Sequence, residues 1–216
     1  MGAAPVSALA LAGFVLGALW GIAADRLAAR WPAHDDGSVR PVGLRSVAVV
    51  AAGALAFAAL AARWPAPEAL VPLWTWAAVL VVLLATDLDQ RLLPDRLTLP
   101  LIPIAAVALV AGLDPLLAGK ELALVSGLAA AAAAPVFLLV TDRLVGGGLG
   151  MGDVKLAVSL GLVCGASRLL AGFLAASVAF GLVVLVLLVT RRVGLRTAIP
   201  FGPVLIIGAL AGATLP

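Results

Sequence analysis

Apolar residues in this chain come in long unbroken runs. They do not alternate as in a half-buried strand, nor form the single stripe of an amphipathic surface helix. Eight runs stand out, at about 5–24, 46–62, 71–86, 97–113, 121–141, 154–165, 168–190 and 199–215. Polar and charged residues are largely confined to the stretches between them. Crossing the hydrocarbon core of a bilayer takes roughly 20 apolar residues in a helix, and most of the runs approach that length. The run at 154–165 is short, so it is expected to be tilted, buried among neighbours, or part of a broken helix. The fold class that follows is all-α, a polytopic membrane protein of about eight transmembrane helices.

Composition sharpens this reading. Of the 216 residues 64% are hydrophobic and 12% charged, and the mean hydropathy is +1.21. A soluble domain carries roughly 25% charged residues, so a soluble globular protein is excluded and a multi-pass protein of the cell membrane is expected. The first run lacks a basic segment before it and passes straight into "DRLAAR" without a small-residue cleavage site. It is therefore expected to be a retained helix, not a signal peptide. The run Ala129 to Ala134 suits close helix packing in lipid, or reflects biased composition. The net charge of +3 is too small to indicate a nucleic-acid partner. The one cysteine, Cys164, excludes an internal disulfide and a multi-cysteine zinc site, and reads as a buried inert thiol. The one histidine, His34, lies in a polar loop and is expected to be solvated, which leaves no metal site.

The distribution of charge carries topological information. Arg26, Arg30, Arg40, Arg45, Arg91, Arg96, Arg143, Lys155, Arg191, Arg192 and Arg196 fall in alternate loops, and only Arg63, Lys120 and Arg168 fall in the others. The positive-inside rule makes the first set cytoplasmic and puts both termini outside. The acids sort the same way. Asp25, Asp35, Asp36, Asp87, Asp89, Asp95, Asp142 and Asp153 share the basic side, against Glu68, Asp114 and Glu121 on the other. Two explanations of that bias stand: a function, or local pairing with the nearby arginines.

Two aspartate motifs carry candidate chemistry. In "ATDLDQRLLPDRLTLP" (Ala85 to Pro100), Asp87 ends the third run, Asp89 and Asp95 follow, and Pro94 breaks the helix. In "GGGLGMGDVKLAVSLG" (Gly146 to Gly161), Asp153 opens the sixth run behind five glycines. Both Asp87 and Asp153 sit where a helix meets the cytoplasmic face, and ionisable residues at membrane depth are functional candidates because burying them is costly. Two carboxyls packed together hold one proton between them. The ionised member then activates a water and the protonated member polarises a peptide carbonyl. That is aspartic-protease chemistry, and it needs neither a metal nor a nucleophilic side chain. The glycines permit unusual backbone angles and close approach of another chain. The alternative for Asp153 is a helix cap behind a flexible loop. The glycine run lacks the spacing of a phosphate-binding loop. "TAIPFGPVLIIG" (Thr197 to Gly208) reads only as a helix entry.

Taken together, "DLDQRLLPDRLTLP", "GMGDVKL" and "IPFGP" resemble, in order and spacing, the type IV prepilin peptidases, membrane aspartic endopeptidases of the GxGD class. The resemblance runs from about Trp76 to Leu210. It implies that Asp87 and Asp153 are the catalytic pair. Gly150, Gly152, Asp89, Asp95 and Lys155 are then expected to bind substrate or shape the site, and Gly146 to Gly148 are read as a hinge. The implied reaction cuts a class III signal peptide, a short basic leader ending in glycine before a hydrophobic helix. The partners would be prepilin-like proteins of type IV pili or related secretion systems, drawn in part by the acidic face. Longer members carry a cysteine-rich loop and also methylate the new N-terminus using S-adenosylmethionine. Here the loop at about 25–45 has no cysteine, which puts methylation in doubt; the peptidase itself is expected to need no cofactor. The chain then divides into an N-terminal membrane region, 1–62, with a shortened cytoplasmic loop, and a peptidase domain, 71–216. The competing reading is a small transporter using intramembrane aspartates for proton coupling.

Overall fold

The computed structural model describes residues 4–145, 147–191 and 201–215. Among them the only regular elements are seven α-helices: α1 (Ala4–Ala28), α2 (Leu44–Arg63), α3 (Pro67–Gln90), α4 (Asp95–Val110), α5 (Ala123–Val145), α6 (Met151–Val189) and α7 (Gly202–Thr214). All-helical architecture is what lipid demands, because a helix satisfies its backbone polar groups internally. Five of the helices, α1, α2, α3, α5 and α6, are long and apolar enough to cross a membrane. The protein is thus a multi-pass membrane protein.

Two of the eight expected runs meet at a kink with no loop between them. The runs 154–165 and 168–190 belong to one element, α6, of 39 residues. At 1.5 Å per residue a straight helix of that length would measure about 58 Å, nearly twice the hydrocarbon thickness. Gly165 interrupts it, with φ 66° and ψ 175°, a conformation that a side chain resists. The short run is therefore the first half of a broken helix, joined to the second without a loop.

Helix ends follow local chemistry. Pro67 starts α3, where its missing N–H costs nothing. Arg91 closes α3 in the left-handed region, φ 56°, donating its N–H to Asp87 O at 2.9 Å. Pro94 then accepts the N–H groups of Leu97 and Thr98, which begin α4.

The core centres on α3. Leu73, Leu80, Leu83 and Leu84 are buried against Leu60 of α2, Leu156 and Leu160 of α6, and Ile206 of α7. Small residues bring backbones together elsewhere: Gly17 of α1 lies against Gly53 of α2, and Gly172 of α6 against Gly208 and Gly212 of α7. Lipid offers no hydrophobic drive between helices, so this close packing is a main source of their association.

Candidate active site

Asp87 lies in the last turn of α3 and Asp153 in the first turn of α6. Although both are charged residue types, they are only 5% and 8% exposed. The start of α7 brings them to one point. A Cβ placed on Gly202 would stand 2.7 Å from Asp87 Oδ2 and 3.3 Å from Asp153 Oδ1. The two oxygens are therefore no farther apart than the sum of those distances, about 6 Å. The same two oxygens are buried and have no hydrogen-bond partner among the described residues. Buried carboxylate oxygens are normally paired or hydrogen-bonded. Here two of them converge on the space a Cβ of Gly202 would fill, a geometry suited to holding a water and a peptide carbonyl at two carboxyls.

The other acids at this end are occupied. Asp89, two residues after Asp87, has a side chain only 1% exposed. Its Oδ2 lies 2.8 Å from His34 Nε2, and its Oδ1 is paired with Arg45. Arg45 Nε also reaches Asp25 Oδ1 at 3.1 Å, and Asp25 is paired with Arg26. Gln90 Nε2 donates to Pro32 O at 2.7 Å, tying the same stretch between α1 and α2 to the end of α3. His34 is thus buried in an ion-pair cluster, contrary to the solvated histidine expected from its polar neighbours. Asp95 is bound by Lys155 Nζ at 2.7 and 2.8 Å, which joins the starts of α4 and α6. Asp142 Oδ1 accepts the N–H of Leu149 at 2.8 Å, hanging the glycine loop from the end of α5. Local pairing therefore accounts for Asp25, Asp89 and Asp95, and the acid bias leaves Asp87 and Asp153 as the buried pair to which no cation is bound among the described residues.

The glycines divide by what they touch. A Cβ on Gly150 would meet Asp153 Oδ2 at 3.4 Å. One on Gly152 would meet Leu93 Cβ at 2.8 Å, so Gly152 sets the fit between the α3–α4 loop and α6. Gly147 and Gly148 have positive φ, 87° and 130°, with open space around them; Gly146 lies outside the described residues. Cys164 is buried, its thiol directed at Ala209 O. Among the described residues no three His, Cys, Asp or Glu side chains gather as a metal site would require.

Gly202 was not legible as a site residue. Its signal was the "FGP" of the last run, but a glycine and a proline at a helix start already have a local explanation. Only the tertiary contact shows that a side chain there would meet both carboxyls. Thr197 to Pro200, earlier in the same motif, lie outside the described residues.

Residues 74–186 match the type IV leader peptidase family. The protein named "Prepilin leader peptidase/N-methyltransferase" of Bacillus subtilis (strain 168) is 31% identical over 142 residues, covering 65% of this chain and 54% of that protein. The protein of the same name from Burkholderia pseudomallei (strain 1026b) is 37% identical over 177 residues, covering 79% and 55%. The chain spans about half the length of the curated relatives it matches. No solved structure gives a significant match.

Proposed function

The chain belongs to the type IV leader peptidase family, and from that premise we propose that it is a prepilin leader peptidase. It cuts the peptide bond after the glycine that ends a short basic leader, in substrates that continue as a hydrophobic helix. Asp87 and Asp153 are the catalytic residues. The observation that carries this reading is the pair of buried carboxylate oxygens converging on Gly202, unpartnered among the described residues. In the reaction the ionised carboxylate takes a proton from water, which attacks the scissile carbonyl. The protonated carboxyl donates its hydrogen bond to the carbonyl oxygen. Collapse of the tetrahedral intermediate breaks the C–N bond, and a carboxyl proton passes to the leaving amine. Gly150 and Gly152 shape the site; Asp89, Asp95 and Lys155 hold its supporting elements together.

The peptidase unit is assigned to 71–216 and the N-terminal membrane region to 1–62. The site faces the cytoplasm, with both termini outside, in the cell's inner or plasma membrane. In support, Lys155, Arg26 and Arg45 lie at the end of the bundle that holds the site, whereas Arg63 and Arg168 both stand over Trp64 elsewhere. The peptidase reaction uses no cofactor, and S-adenosylmethionine enters only if N-methylation is retained. The comparisons lend no support to the transporter reading.

The test is direct. Protein reconstituted in phospholipid vesicles is given a synthetic peptide with a lysine-rich leader, a glycine and an apolar helix. Mass spectrometry is expected to find one product pair, cut after the glycine. No cleavage, or scattered cleavage in the leader, would overturn the proposal.

A further inference from the structure

An apolar groove of about 480 Å³ lies between α5, both halves of α6, and α7. Its floor on α5 is Ala129, Ala130, Ala133 and Ala134, with Phe137 and Leu138 a turn further on. That spacing is one face of a helix. Ala157 and Leu160 line it before the break at Gly165, and Ala166 and Leu169 after it, so the break sets the two halves of α6 apart around the groove. Every lining side chain is Ala, Leu or Phe. Ala133, Phe137 and Leu170 are exposed, so the groove opens on the outer surface of the bundle.

One end of the groove meets the candidate active site. Ala157 follows Asp153 by one helical turn, and Leu205 follows Gly202 by one turn, a distance of about 5–6 Å. Phe173 lines the groove beside Phe137, with ring centroids 6.2 Å apart, and beside Phe201, the neighbour of Gly202, with ring centroids 6.0 Å apart. From Phe137 back to Ala129 this face of α5 runs about 12 Å.

We propose that this groove receives the apolar helix of a membrane-anchored substrate, immediately beyond the bond to be cut. The inference rests on the peptidase reading and adds where the substrate's uncut part lies. An all-apolar lining open to lipid cannot satisfy the backbone of an extended chain, so a polypeptide occupant is helical here. An alanine floor lets a second helix approach closely. An acyl chain would also fill apolar space. Continuity with the carboxyl pair, however, matches an occupant whose chain runs on into the site.

Two synthetic peptides test this, sharing a lysine-rich leader and glycine. One continues into an apolar helix of about twenty residues; the other stops shortly after the glycine. Ala133→Trp fills the groove, and Ala132→Trp, at an exposed neighbouring position off the lining, is the control. In phosphatidylethanolamine/phosphatidylglycerol vesicles, Ala133→Trp is expected to lower kcat/KM for the anchored peptide at least about tenfold more than for the short one. Ala132→Trp is expected to show no such split. Equal effects on both peptides, or none on either, would overturn the groove assignment.

A second arm needs no turnover. Ala133→Cys or Ala132→Cys, each with Cys164→Ala, is oxidised with an anchored peptide carrying a cysteine early in its helix. A crosslink at 133 exceeding that at 132 supports the groove even if nothing is cut. No excess at 133 overturns it even if cleavage is normal. Should the wild type cut neither peptide, the peptidase reading falls and the crosslink alone decides the groove.

Discussion

Asp25, Asp87, Asp89 and Asp153 are all buried, yet they differ in what neutralises them. Asp25 and Asp89 are enclosed by Arg26, Arg45 and His34, whereas Asp87 and Asp153 present bare oxygens to Gly202. Gly202→Ala is the sharpest residue-scale probe of that contact. The new methyl would meet Asp87 Oδ2 at 2.7 Å and Cγ at 2.9 Å. Alanine also favours a helix, so the protein is expected to insert and fold while cleavage falls by about tenfold or more. Gly181→Ala, which meets nothing within 4 Å, is the matched control and should leave cleavage within about twofold. Asp89→Asn should act differently. Removing one charge from a buried cluster costs about 1–3 kcal/mol, so thermal unfolding in detergent should come earlier while the folded fraction still cleaves. A complete loss of cleavage with unchanged stability would show that the wrong member of the Asp87–Asp89 pair has been assigned. The motif around these aspartates was legible in the sequence, but their partners were not. Arg45 and His34 lie 44 and 55 residues from Asp89, and no local pattern links positions so far apart.

At the scale of elements, the hydrophobic runs were legible because lipid imposes length and polarity on every crossing segment. The gap between the sixth and seventh runs was marked by Gly165, Ser167 and Arg168, and a broken helix is among the readings of the short sixth run; the left-handed angles of Gly165 were not legible, because they are a tertiary outcome. Ser126 of α5 helps set them: its Oγ accepts the N–H of Ala166, just past the break, at 2.9 Å. Gly165→Ala would combine a positive φ with a Cβ 2.7 Å from Ser126 Oγ and 2.8 Å from Leu117 Cδ2. It is expected to destabilise the protein by about 1–3 kcal/mol. Ser126→Ala, which removes one hydrogen bond, should cost about 0.5–1.5 kcal/mol. Thermal unfolding in detergent would rank the two, and a Gly165→Ala protein as stable as the wild type would contradict the described break.

Across the whole molecule, paired charges collect at the end that holds Asp87 and Asp153, and one further buried carboxyl lies elsewhere. Asp114, in the segment between α4 and α5, accepts the N–H of Leu116 on Oδ1, and its Oδ2 is buried without a partner among the described residues. Burial pushes its carboxyl up to about 6, against hydrogen bonds from Leu116 and Leu117 that pull it down. A raised folded-state value means the neutral form is favoured in the fold. Its stabilising contribution is then complete below about pH 4 and lost as pH rises through about 6. Asp114→Asn keeps an acceptor for Leu116 and cannot ionise. It should therefore raise the unfolding temperature at pH 7 relative to wild type, with the gain shrinking by pH 4. The reverse ordering would contradict the buried, unpartnered placement of this group.

The central claim is that Asp87 and Asp153 act together on one bond. Asp87→Asn and Asp153→Asn, made separately and reconstituted in vesicles with the anchored synthetic peptide, test it most directly. Residues acting as a unit fail together when either is removed. Each single variant should insert, unfold at about the wild-type temperature, and lose at least about a thousandfold in kcat/KM, with the double variant no worse. Substantial cleavage by either single variant would contradict the claim.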